Sequence, residues 1–121
     1  MARAIEKNEI IEILRHVYDP DYVERSVIDM GLVTESDIRV ENGEIEVIYR
    51  LSSPLCPYSA ALGVMIKYAL EQKLPVPVAV KLSHEHKQTE QVAEILSSEK
   101  EFAELVRKLE KSGILWRCIR F

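Results

Sequence analysis

Two cysteines occur in this 121-residue chain, and one of them has neighbours that bear on its chemistry. Cys56 lies in SSPLCPYSAAL, Ser52 to Leu62, between two prolines and just after two hydroxyl residues. Proline is favoured at the first position of a helix, where its missing N–H costs nothing. With Pro57 there, Cys56 becomes the N-cap, and its sulfur faces free backbone amides at the positive end of the helix dipole. Both features favour the thiolate and lower the thiol pKa. Pro54 stiffens the approach, and Ser52 and Ser53 can donate hydrogen bonds to a nearby anion or sulfur. The placement suits a nucleophile or a ligand for a soft metal. A small buried filler accounts for a free cysteine as well, so on residue chemistry alone both readings stay open.

The other reactive residue types make weaker cases. His84 and His86 alternate on a strand-like run and therefore project to one face, but two ligands alone do not make a metal site. Glu9, Glu12, Asp21 and Glu24 read as solvated carboxylates. Tyr49, Tyr58 and Trp116 read as packing groups. A cysteine–histidine pair requires His16, His84 or His86 beside Cys56, and spacing along the chain does not decide that.

The elements that must position Cys56 follow from periodicity. Ile10, Ile13, Leu14 and Val17 repeat at helical spacing, which predicts an amphipathic helix over about the first sixteen residues, ended by Tyr18-Asp19-Pro20-Asp21. SVIDMGLV, interrupted by Gly31, has no readable period. In TESDIRVENGEIEVIYRL, Asn42-Gly43 marks a two-residue hairpin turn. Glu41 then faces Glu44, Val40 faces Ile45 and Ile38 faces Val47, and the apolar pairs share a face with Tyr49 and Leu51.

A second helix is expected from Pro57 to about Gln72, with Leu62, Met65, Ile66 and Ala69 as its core stripe. Pro75 to Ser83 alternates as a strand, and the prolines at its start suggest an edge position or a late entry into the sheet. Two shorter helices follow. The second is capped by Ser98 and Glu101, carries the stripe Phe102, Leu105, Val106 and Leu109, and stops at Gly113. The ending ILWRCIRF reads as a final strand.

Composition bounds the function. The chain is one domain in length and buries roughly two-thirds of its unfolded surface. It is 47% hydrophobic with net charge −4 and mixed signs, and it carries no basic stripe for nucleic acid. No apolar run approaches the about 20 residues of a membrane span. The charged start argues against a signal peptide, and two cysteines cannot form a disulfide framework. A reduced, cytoplasmic protein is the expectation.

The order of helix, Asp19-Pro20 turn, Gly31-Leu32-Val33, hairpin and Pro54-x-Cys56-Pro57 leading into a helix resembles the PaaD-like, SufT-like metal–sulfur cluster biosynthesis family, over about residues 5–83. The resemblance implies a two-layer α+β domain over residues 1–83, with helices on one face of a small mixed sheet; residues 84–121 are longer than the family core and read, from the sequence itself, as a C-terminal extension packed on the same domain. It makes Cys56 the functional thiol and metal ligand, and Asp19 the characteristic acidic residue of the first turn. Ser52, where many members have threonine, and the adjacent Ser53 complete the candidate site. It further implies a non-enzymatic iron–sulfur cluster assembly factor, either a cluster carrier or an adaptor, whose partners are assembly proteins and recipient apoproteins. A cluster wants about four ligands and one loop supplies one. Binding therefore requires a homodimer, a small thiol or a partner's cysteines. A small regulatory or interaction domain with a structural cysteine, and an enzyme using Cys56 as nucleophile, are the alternative expectations.

Overall fold

The computed structural model describes residues 6–19, 22–41, 44–50, 59–74, 78–83, 92, 94–96 and 98–119. In chain order the elements are α1 (Lys7–Leu14), β1 (Tyr18–Asp19), β2 (Tyr22–Ser26), a 3-10 turn (Glu35–Asp37), β3 (Ile38–Glu41), β4 (Glu44–Tyr49), α2 (Ser59–Lys73), β5 (Val78–Leu82), α3 (Glu99–Ser112) and α4 (Ile114–Cys118).

The main sheet has the order β3-β4-β5. Antiparallel pairing sets Ile38 opposite Val47, Val40 opposite Ile45 and Glu41 opposite Glu44, the register expected from alternation about Asn42-Gly43. The turn residues themselves lie outside the described residues. Next, β5 joins β4 in parallel, with Ile45 beside Val78, Val47 beside Val80 and Tyr49 beside Leu82. A parallel neighbour needs a crossover connection, and α2 is that connection. Among the described residues β5 is an edge strand, one of the two placements expected from its prolines.

Because side chains alternate, Ile38, Ile45, Val47, Tyr49, Val78, Val80 and Leu82 all bury on one face. Arg39, Glu41, Glu44, Ala79 and Lys81 stand exposed on the other. Among the described residues, helices cover the first face, giving an α+β domain with a mixed sheet. α2 contacts β5 and is itself packed by α1 and α3. Being covered on several sides, it buries Ala61, Leu62, Val64, Met65, Ile66, Ala69 and Leu70, beyond the single stripe expected.

Two expectations need correction. The first helix stops at Leu14, short of Val17, which forms a bridge with Ile119. The tail is not a strand over ILWRCIRF. Gly113 takes φ 82° as the C-cap of α3, a left-handed backbone that glycine adopts without a Cβ penalty, and the chain turns at once into α4. Leu115 and Cys118, three apart, then face inward on one side of that helix. Strand pairing survives at Ile119. The Ser98 cap holds: its Oγ accepts a hydrogen bond from Glu101 N at 3.3 Å.

Candidate functional site

The cysteine loop, residues 51–58, joins the end of β4 to α2, and its two attachment points are built in detail. Arg50 is the last described residue before the loop. Its backbone N–H donates to Leu32 O at 2.9 Å. Its guanidinium Nη1 donates to Asp37 Oδ2 at 2.6 Å. The same carboxylate oxygen accepts from Thr34 N and from Thr34 Oγ1, both at 2.9 Å. Asp37 is buried. Burial pushes its pKa up, but the Arg50 and Thr34 hydrogen bonds and the Arg50 charge outweigh that, so the pKa falls below the ordinary carboxylate value.

This network explains what SVIDMGLV does. Ser26 Oγ accepts from Asp29 N at 3.1 Å and starts a turn. Gly31 completes it at φ 71°. Val27, Leu32 and Val33 are thereby sent into the core. The Leu32 carbonyl is left pointing at Arg50, so the Gly31-Leu32-Val33 motif lies beside the start of the cysteine loop. The ion pair spans thirteen positions and carries no periodic signal, and the sequence reading missed it. Thr34-x-x-Asp37 matches the capping-box pattern and was the available clue.

The other attachment is a close approach. A Cβ on Gly63 would meet Tyr49 Oη at 2.5 Å and the ring carbons at 2.8 and 2.9 Å. Tyr49 is wholly buried, so α2 rests its backbone directly on the ring only because residue 63 has no side chain. The Tyr49 carbonyl accepts from Ser83 N at 2.9 Å, which ties the end of β5 to the same point.

The residues expected to do chemistry are placed as follows. Cys56, Ser52 and Ser53 lie outside the described residues, as do His84 and His86. Asp19 belongs to β1 and pairs through its backbone with Tyr22. Its side chain is not among those described. Cys118 is in no disulfide among the described residues and is 0% exposed. Among the described residues, no three His, Cys, Asp or Glu side chains come together in a way that could hold a metal ion. No helix among them is long and apolar enough to cross a membrane.

A family model described as an iron–sulfur cluster assembly protein matches residues 7–82. The chain belongs to that family. The match ends at the last residue of β5, so α3 and α4 follow the family region. The fold is similar to the crystal structure of a domain of unknown function, DUF59, from Bacillus anthracis. The TM-score is 0.57 at 20% identity, over 83% of this chain and 91% of that one. Among curated proteins none matches.

Proposed function

We propose that this iron–sulfur assembly protein acts through Cys56, as a non-catalytic factor that passes clusters, or the machinery carrying them, to recipient apoproteins. The observation that carries this reading is the burial of Cys118. It takes one of the chain's two cysteines out of exchange, so a thiol function falls to Cys56. Thiolates are the natural ligands of iron–sulfur clusters, and a cluster commonly takes about four. A single thiolate per chain therefore holds its cargo jointly, with the remaining ligands coming from an assembly protein, a recipient, a small thiol or a second copy. A shared, incomplete ligand set suits transfer better than storage, because the cargo is never fully enclosed by this chain.

In this reading the packed contacts at Arg50 and Gly63 give the loop a fixed base, and the Ser52 and Ser53 hydroxyls donate hydrogen bonds to the thiolate. The chain then works as carrier or as adaptor, and one experiment separates them. Iron and sulfide are added anaerobically with and without glutathione, and visible absorption is recorded for the natural chain and Cys56→Ser. A chromophore that Cys56→Ser abolishes identifies a carrier. No chromophore, combined with Cys56-dependent activation of an apoprotein by the assembly machinery, identifies an adaptor. If Cys56→Ser changes neither absorption nor activation, the proposal fails.

A further inference from the structure

Outside the cysteine loop, the strongest surface feature is a groove between α2 and α3. Its walls are Tyr68, Glu71 and Gln72 from α2, and Phe102, Ala103, Val106 and Arg107 from α3. Tyr68, Phe102 and Val106 are only half-buried, although each belongs to a helix that packs on its neighbour. One face of the groove is held by Lys67, whose Nζ donates to Leu96 O at 3.1 Å and stands 5.1 Å from the centre of the Phe102 ring. At its mouth Trp116 of α4 meets Tyr68 edge to face, with ring centres 6.4 Å apart. Trp116 is nevertheless 54% exposed, and it is the exposed large hydrophobic side chain of the described residues. A half-exposed tryptophan beside an apolar groove is of a residue type enriched among the anchors of protein interfaces.

We propose that this face is a two-fold contact between two copies of the chain. The rim charges favour a second copy over an unrelated partner. Glu71 stands on one wall and Arg107 on the other. Both are exposed, and neither side chain has an ion-pair partner among the described residues. A two-fold axis exchanges the walls, so Glu71 of each copy meets Arg107 of the other and the surface complements itself. Trp116 of each copy enters the other's groove against Tyr68, Phe102 and Val106, and the four rim charges close around it.

This contact stands apart from Cys56. The groove begins at Tyr68, and the cysteine loop joins α2 ahead of Ser59, about 14 Å away at 1.5 Å per helical residue. The dimer leaves each loop to its own partner, and Cys56→Ser leaves the dimer intact.

Sedimentation velocity of the full chain over a dilution series tests the assembly. The expected result is a mass of two chains that falls to one on dilution. Trp116→Ala and Val106→Glu move the equilibrium to monomer. Glu71→Arg and Arg107→Glu each weaken association about tenfold by placing like charges together. The two reversals combined restore the natural affinity. Circular dichroism melts of each variant confirm that the fold is kept, and the charge reversals carry the test where Trp116→Ala disturbs folding. A chain that stays monomeric at every concentration leaves the groove to a different protein and overturns the proposal. So does a dimer insensitive to these substitutions, or a double reversal no better than the single ones.

Discussion

α2 and α3 have nearly equal lengths and opposite circumstances. α2 buries every residue from Ala61 to Ile66 and again Ala69 and Leu70, because sheet, α1 and α3 enclose it. α3 buries Leu109, while Phe102, Leu105 and Val106 of the same stripe are only partly covered. The family match takes in the first helix and stops before the second. One helix is held between the sheet and two other helices over most of its length, and the cysteine loop joins its start. The other lies on the surface with part of its apolar stripe uncovered. The buried surface thus belongs mostly to α2 and the uncovered apolar stripe mostly to α3.

The largest effect should come from asking whether α2 can do without its cover. A chain ending at Ser83 lacks Val92, Leu96, Leu109, Leu115, Cys118 and Ile119, all buried. It also loses the Ile119 bridge to Val17. Emptying a core position costs about 2–5 kcal/mol, against a total stability of about 5–15 kcal/mol. We expect no cooperative urea transition and an exposed apolar face of α2. A truncated chain that unfolds cooperatively near the natural midpoint would make residues 84–121 an independent appendage.

Next in size is the contact on the buried side of α2. Gly63→Ala puts a methyl into the Tyr49 ring, whose three nearest atoms lie within 2.9 Å of the new carbon. Overpacking of this kind costs about 1–3 kcal/mol. The matching substitution on α3, Ala103→Ser at an exposed position, should stay within about 0.5 kcal/mol. A double-mutant cycle sharpens the assignment: in a Tyr49→Leu background, Gly63→Ala should cost clearly less. Equal costs in both backgrounds would place the strain elsewhere.

Smaller again is the Asp37–Arg50 pair. Its folded pKa is depressed, so it adds stability above the unfolded value of about 3.9, and that contribution disappears as pH falls through the lower folded value. Asp37→Asn keeps an acceptor oxygen and should cost about 0.5–1.5 kcal/mol at neutral pH. The gap between variant and natural chain should close as acid protonates the natural carboxylate. Urea midpoints measured from neutral pH into acid check this, and a gap independent of pH would rule out the charge as the cause.

How much of this was legible depended on whether the signal was local. The hairpin register was readable because Asn42-Gly43 fixes the turn and Ile38, Val40, Ile45 and Val47 then alternate from it. The α3 boundaries were readable from Ser98 and Gly113. ILWRCIRF misled because isoleucine, tryptophan and cysteine look strand-like. The competing fact is that a left-handed glycine permits a second helix immediately, and the three-residue spacing of Leu115 and Cys118 fits it. The short β1–β2 ribbon was missed as well, since its bulged pairing from Tyr18 to Ser26 breaks any alternation. For the candidate site, the motifs were visible. What brings Gly31-Leu32-Val33 to Arg50 was not, because one backbone hydrogen bond joins distant stretches of chain.

The gentlest test leaves the fold untouched and compares the two cysteines directly. Alkylation rate follows thiolate fraction and access together. Cys118 fails on access: it is 0% exposed on the inner side of α4, and no reagent reaches it without opening that helix. Arg117 beside it could favour a thiolate, yet an unreachable thiolate does not react. Cys56 belongs to the segment between Arg50 and α2, and the sequence expectation is a helix begun at Pro57 whose N-terminus lowers the thiol pKa. Brief iodoacetamide treatment of the native protein, read by mass spectrometry, should therefore label Cys56 alone, with the rate falling as pH is lowered. Cys118 should appear only after denaturant is added, at the rate of an ordinary thiol. Native labelling of Cys118 first would mean that α4 opens readily and that the extension is far looser than its buried residues imply. Labelling of Cys56 only after denaturation would make it a second packing residue, and the transfer function would lose its thiol.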